Sequence, residues 1–319
     1  MSSQTIWKLA QKLYLIALKP PLQGFDKFIG IWLYTGPPAF LVDVGPAATS
    51  ASLLKALGDL GIRHLDYLLL THIHIDHAGG IGEVAAAFPH AQVVGHARGL
   101  PHLIQPNRLW EGSLRSLGPT AEAYGAISAV APDRVMDAAI LDDPRIRIIL
   151  TPGHSPHHIS YAVDDILFAG EAGGVCLTTP RQDPYMRPAT PPRFFLDVAL
   201  GSLDRLIAQG LPKIAYSHFG LFTEAQALLQ SHRRQLLLWE RIIGQALTDS
   251  EKDSLPHVCL DRLLGEDSRL AAYPAMSTQE RSREEGFLRN SIQGFIGYLQ
   301  RTPVEAPGGK RKTTPHQPF

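Results

Sequence analysis

Cysteine is nearly absent from this 319-residue chain: Cys176 and Cys259 are the two, far apart and in no CxxC pattern. That excludes a disulfide framework as the stabilising device and argues against a thiolate metal site. Surplus charge is missing too, with 30 Lys and Arg against 30 Asp and Glu. Proteins that live by gripping nucleic-acid phosphates carry a basic excess, so no nucleic-acid partner is expected. Nor is a membrane, because no apolar run approaches the roughly 20 residues that span a bilayer. The apolar stretch Leu13–Leu18 is too short for a signal-peptide core and no small-residue cleavage site follows it. The expected location is therefore the cytoplasm. What remains is an ordinary globular balance, 45% apolar and 19% charged, rich enough to bury a sizeable core in one large domain or two small ones.

Along the chain, Leu13–Leu18, Phe28–Thr35 and Phe40–Val44 read as strands separated by Pro/Gly punctuation. Ser50 fits the cap of a helix to about Leu60, with Leu53, Leu54, Leu57 and Leu60 at helical spacing. Tyr67–Leu70 carries no charge, as suits a strand buried on both faces. A helical stretch to about Phe88, a strand Gln92–Val94 and a mainly helical region over 97–127 follow, with Pro101 and Pro106 as breaks. Arg145–Leu150 reads as a strand, and Ile159–Val163 with Ile166–Ala169 as a hairpin around Asp164-Asp165. Residues 176–194 read as Pro-rich and irregular, then a helix to about Gln209 and a strand Ile214–Ser217. From Thr223 the pattern turns helical, with a second helix over Glu280–Leu299. The cluster Leu236–Trp239 is expected in the core, with a homodimer surface as the second reading. Residues 302–319 have few apolar groups and are expected to form a disordered tail. This order suits layered α/β (α+β) architecture with two helix-covered sheets.

Fourteen histidines are the unusual feature, and their positions carry the argument. His72-x-His74-x-Asp76-His77 puts three imidazoles and a carboxylate into six residues. Imidazole nitrogen and carboxylate oxygen are ligands for zinc, iron or manganese. Alternate side chains of a strand point to opposite faces, so four cannot converge from one. They can converge from a loop that leaves a strand end and turns into a helix. The motif lies in such a place, between Leu70 and the Gly79-Gly80 pair that permits a tight backbone.

These residues resemble the HxHxDH signature of the metallo-β-lactamase superfamily. The resemblance extends over roughly residues 13–220 through Thr-Pro-Gly-His154, Phe-Ala-Gly-Glu171, Tyr-Ser-His218 and Leu-Val-Asp43. It implies an αββα sandwich over 1–220 with metals at one edge between the sheets, and helices over 221–301 packing on it as a C-terminal helical extension. It also implies His72, His74 and His154 for a first metal and Asp76, His77 and His218 for a second, most simply two zinc ions, with iron or manganese as alternatives. Glu171 stands where the family usually has a bridging aspartate. The extra methylene leaves open whether it bridges, binds one metal or binds none. Asp43 is expected as an acceptor that orients a ligand histidine. His157 and His158 are read as residues beside the ligand loop, and His96 and His102 as structural or pocket-lining.

The implied activity is hydrolysis of a small ester, lactone or thioester by metal-bound hydroxide, with Asp76 orienting the nucleophile and receiving its proton. Tyr185 and Arg187 are candidates for a developing oxyanion and a substrate carboxylate. Trp110 and Tyr124 are candidate pocket walls. Three other readings stay open: a persulfide dioxygenase with one iron on His72, His154 and Glu171, a phosphodiesterase, and a non-catalytic ligand-binding member.

Overall fold

The computed structural model describes residues 5–178 and 184–301. The tail expected over 302–319 lies outside the described residues. The first half runs β1 Ile6–Lys8, β2 Leu13–Leu18, β3 Ile29–Tyr34, β4 Phe40–Val42, α1 Ser50–Asp59, β5 Tyr67–Leu69, α2 Ile75–Ala78, α3 Ile81–Ala87 and β6 Gln92–Gly95. Three short helices, α4 Leu100–Ile104, α5 Asn107–Leu117 and α6 Pro119–Tyr124, then lead to β7 Val135–Asp137. The second half runs β8 Arg147–Leu150, β9 Ile159–Val163, β10 Ile166–Gly170, β11 Val175–Leu177, β12 Tyr185–Arg187, α7 Leu196–Ile207, β13 Lys213–Tyr216 and β14 Gly220–Phe222. Helices α8 Ala225–Asp249, α9 Leu255–Glu266 and α10 Thr278–Arg301 close the described chain.

Strands β1 to β7 form one sheet in sequence order, antiparallel up to β4 and parallel from β4 to β7. The second sheet has the order β14-β13-β10-β9-β8, with β10 and β13 parallel. The two sheets face each other across an aromatic seam. Trp32 and Phe40 of the first meet Phe168 of the second edge-on, with ring centroids 6.2 and 6.0 Å apart. Two buried polar tips are satisfied across the seam: Trp32 Nε1 donates to the Tyr216 carbonyl at 3.0 Å and the Tyr161 hydroxyl to the Leu70 carbonyl at 2.8 Å. Phe168 is fully buried, so Phe168→Ala is expected to cost about 3–5 kcal/mol. Helices α1 and α3 pack together beside the first sheet, and α7 and α8 beside the second. The architecture is the mixed α/β sandwich with a helical C-terminal region.

Several local details differ from the sequence reading. The stretch read as irregular over 176–194 contains the antiparallel pair β11–β12; three-residue strands are too short to show a period of two. Strands β1, β7 and β14 and helix α9 were not anticipated, for the same want of length or pattern. Ser50 is the first residue of α1, and Thr49 holds the cap position without a side-chain cap bond. In the Leu236–Trp239 cluster, Leu236 and Trp239 are buried while Leu237 is exposed. The hairpin turns at Asp164 with φ 51°, a left-handed conformation that Asp tolerates. Helix α10 starts two residues before Glu280 because Ser277 and Glu280 form a capping box. Ser277 donates to Glu280 Oε2 from its backbone at 2.9 Å and its hydroxyl at 2.8 Å, and the Glu280 amide donates back at 3.3 Å.

Candidate metal centre

Each donor leaves the end of a strand. Strand β5 delivers His72, His74 and α2, whose first turn carries Asp76 and His77. His154 lies between β8 and β9, Glu171 directly after β10, and His218 just after β13. The two sheets therefore aim all seven side chains at one edge of the sandwich. They form two groups: His72, His74, His154 and Glu171, and Asp76, His77 and His218. His74 Nδ1 is 3.0 Å from His72 Nε2 and 2.9 Å from His154 Nε2. In the second group, Asp76 Oδ2 lies 3.6 Å from Nε2 of both His77 and His218.

Glu171 touches both groups. Its Oε2 is 2.9 Å from His154 Nε2, 3.4 Å from His72 Nε2 and 3.3 Å from His77 Nε2, and its Oε1 is 3.7 Å from His218 Nε2. The longer side chain thus does not miss the centre.

The outer hydrogen bonds fix which nitrogen of each ring faces inward. The Thr71 hydroxyl spends its proton on Asp43, so it accepts from His72 Nδ1 at 3.0 Å. Asp43 Oδ2 accepts from His77 Nδ1 at 2.9 Å, the Ala189 carbonyl from His154 Nδ1 at 2.9 Å and the Phe28 carbonyl from His218 Nδ1 at 3.0 Å. With Nδ1 protonated in all four rings, four Nε2 lone pairs point into the centre, the arrangement that ligating histidines need. Asp43 is a hub, accepting also from the Thr71 amide at 2.8 Å and the Ser217 hydroxyl at 2.9 Å.

This donor set fits divalent cations. His77 Nε2 is buried with no hydrogen-bond partner among the described residues, which a metal would relieve. Burial, reinforced by the charges of His77 and His74, holds His72 well below its usual pKa. Burial and His154 push His74 down to about 4. Both are therefore neutral, as ligands must be. Burial opposes ionisation of Glu171 and Asp76, but the neighbouring histidines outweigh it and keep both carboxyls well below the usual range. The same carboxylates, with Asp43 at His77, raise His154 and His77 against the opposing effect of burial.

His158 has a role that the sequence reading did not give it. It is fully buried; Nδ1 lies 2.8 Å from the Thr151 hydroxyl and Nε2 accepts from the Glu171 amide at 3.1 Å. It thus sets the backbone of Glu171. Gly170, at φ 56°, leaves room for that ring, since a Cβ there would lie 2.5 Å from His158 Nε2. The signal available in the sequence was only its place four residues after a ligand. His157 is largely buried with no hydrogen-bond partner for Nε2 among the described residues, and His96 and His102 fall in neither donor group.

Tyr185 and Arg187 lie elsewhere than expected. Both are buried, and Arg187 Nε is bound to Glu284 Oε2 of α10 at 2.5 Å. Glu284 also takes Arg283 Nε on Oε1 at 2.8 Å. The Arg187 guanidinium is therefore spent on holding α10 rather than free for a substrate carboxylate. A narrow cleft beside His154 and Glu171 is lined instead by Thr151, Ala189, Thr190, Phe194, Ser202 and His232. Cys176 is no nucleophile, because burial pushes its thiol up to about 12.

Comparison with known proteins agrees with this geometry. A family model described as the metallo-β-lactamase superfamily matches residues 31–218. The chain is 31% identical over 186 residues to the metallo-β-lactamase fold-containing protein ST1585 of Sulfurisphaera tokodaii, covering 56% of this chain and 69% of that one. It is 30% identical over 164 residues to a hydroxyacylglutathione hydrolase of Acidiphilium cryptum, covering 49% of this chain and 56% of the relative, about half its length. Among solved structures, a metallo-β-lactamase family protein of Thermus thermophilus, TTHA1429, shares the fold with a TM-score of 0.63 at 22% identity, covering 92% of this chain and 95% of that one. No described helix is long and apolar enough to cross a membrane. A donor set split between two sheets, matched by a family model over more than half its length, makes this chain a member of the metallo-β-lactamase superfamily.

Proposed function

We propose that the protein is a metal-dependent hydrolase of small ester, lactone or thioester substrates, with two divalent ions sharing Glu171. The observation that carries this reading is the reach of one carboxylate, 2.9 Å from His154 and 3.3 Å from His77, into both donor groups. Relatives named for hydrolysing hydroxyacylglutathione, a thioester, support the substrate class. His72, His74 and His154 would hold one ion, Asp76, His77 and His218 the other. When bound, such ions make a nucleophile from water near neutral pH and polarise a carbonyl oxygen.

The chain's own groups do the rest. Asp76 is the more open member of its group, its side chain 17% exposed against 2% for His77 and His218. Its ionised carboxylate accepts a hydrogen bond from the attacking water, orients it and takes its proton at Oδ. Asp43 and the carbonyls of Ala189 and Phe28 hold the imidazoles in the orientation that keeps their lone pairs inward.

A second reading, a dioxygenase with one iron on His72, His154 and Glu171, is supported by the closeness of Glu171 Oε2 to those two rings, 3.4 and 2.9 Å. Metal content per chain and turnover on a thioester and ester panel separate the two. Close to two ions with chelator-sensitive hydrolysis is the expected result. One iron with oxygen consumption on a persulfide, and no hydrolysis, would replace it with the second reading.

A further inference from the structure

Tyr124, the last residue of α6, is buried, and its hydroxyl has no hydrogen-bond partner among the described residues. Phenylalanine would fill the same space without leaving a buried polar group unpaired, so the hydroxyl calls for a partner outside the chain. Its position identifies that partner. Helix α6 packs on α2, the short helix that carries Asp76 and His77. The Tyr124 ring meets Phe25 edge-on at 6.3 Å, Phe25 meets Phe28 at 5.2 Å, and Phe28 stacks on the His218 ring at 4.4 Å. Tyr124 is thus linked through Phe25 and Phe28 to the His218 ring of the second donor group.

Among the described residues two other buried tyrosines, Tyr185 and Tyr216, have hydroxyls without a hydrogen-bond partner. The charged groups that act on Tyr185 are Glu284, Arg187 and Arg283, and the one on Tyr216 is Arg269. Tyr124 alone of the three lies in the field of Asp76 and Glu171.

We propose that the Tyr124 hydroxyl donates a hydrogen bond to the carbonyl oxygen of the substrate, the oxygen that gains negative charge when water attacks the carbon. The bond is strongest when that charge develops, so it favours the tetrahedral state over the bound ester or thioester. No proton leaves Tyr124 in the step. Burial, with the negative charges of Asp76 and Glu171, pushes the phenol well above its usual pKa, so it remains a donor. Burial of the Tyr124 ring lowers the local dielectric, which strengthens such a bond.

The inference rests on the hydrolytic reading, and Tyr124→Phe in the metal-loaded full chain tests it. The expected result is unchanged metal content, an unchanged or raised Tm, kcat lowered by about 10²–10³-fold with KM little altered, and acetate bound several-fold more weakly in a calorimetric titration. Acetate serves as the probe because its carboxylate oxygen occupies the place of the oxyanion. Wild-type kcat and wild-type acetate affinity in Tyr124→Phe would overturn the proposal. Loss of metal would overturn it too, by assigning Tyr124 a supporting role. If the wild-type chain hydrolyses nothing, the hydrolytic reading fails, and an acetate affinity untouched by the substitution then removes this assignment as well.

Discussion

The two donor groups offer the same kinds of ligand, and within each the ligands are supported differently. His72 and Glu171 are braced from within the sandwich by Thr71 and His158, whereas His154 is braced by the Ala189 carbonyl, whose neighbours Pro188 and Thr190 are hydrogen-bonded to Ser291 of α10. His218 is braced from outside the sandwich. Its Nδ1 donates to the carbonyl of Phe28, whose ring stacks on it. Phe28 in turn stacks on Phe287 of α10 at 5.4 Å and lies under the Arg283 guanidinium at 4.3 Å. Arg283 also donates to the carbonyl of Gly24 in the same β2–β3 loop. Helix α10 contributes no ligand, yet it presses the loop that orients one. Exposure varies within each group: His154 is 10% open at the side chain and His72 closed, Asp76 17% open and His77 and His218 only 2%. The difference teaches that His72, His77 and Glu171 are held by the sandwich, through Thr71, Asp43 and His158, while His154 and His218 depend on α10 through the loops that orient them.

The largest test removes a ligand. His154→Ala is expected to lose the first ion and activity together, by more than the roughly 10–100-fold typical of an outer partner. A fully metallated, active His154→Ala protein would refute the assignment. Next comes the brace on α10. Glu284→Ala leaves Arg187 and Arg283 buried without their shared carboxylate, at an expected cost of about 3–5 kcal/mol in urea unfolding. Metal titration should show both equivalents weakened, since α10 supports the loops that orient His154 and His218; unchanged affinity for both would erase the role given to α10. His158→Ala acts from within the sandwich. Removing the acceptor of the Glu171 amide should lower metal affinity by about 10–100-fold, seen in both titration midpoints because Glu171 reaches both groups.

The smallest effect is on pH. Nearby carboxylates raise the pKa values of His77 and His154 in the metal-free cluster, so each keeps a proton to higher pH than a free imidazole and a cation must displace it. Zinc uptake by metal-free protein should therefore release protons and tighten as pH rises. Calorimetry in buffers of different ionisation enthalpy counts them. No proton release at neutral pH would mean that these imidazoles are already neutral.

The candidate ligands were legible because ligation needs particular side chains, and His72 to His77 crowd them into one loop. The sheets were legible where strands are long, as in β2, β3 and β9. The support was not. Arg187 looked like a free cation in a Pro-rich loop, and its partner Glu284 lies 97 residues away with no local mark of the pairing. His158 looked like a neighbour of a ligand because its work depends on an amide that only the fold brings near. Tyr124 could be read only as a candidate wall, since a missing hydrogen-bond partner exists only in three dimensions.

Asp43 carries a consequence for the order of assembly. It stands after β4 with φ 60°, and its carboxylate gathers Thr71 and His77 from the first sheet's side and Ser217 from the second. Neither sheet alone can complete this knot. A nascent chain that has built only its first half therefore holds His77 without the full frame that orients it, and a cation captured then would meet an unfinished cage. The complete frame around His77 thus exists only once the two sheets have docked, so a cation that needs that frame is expected to bind after docking.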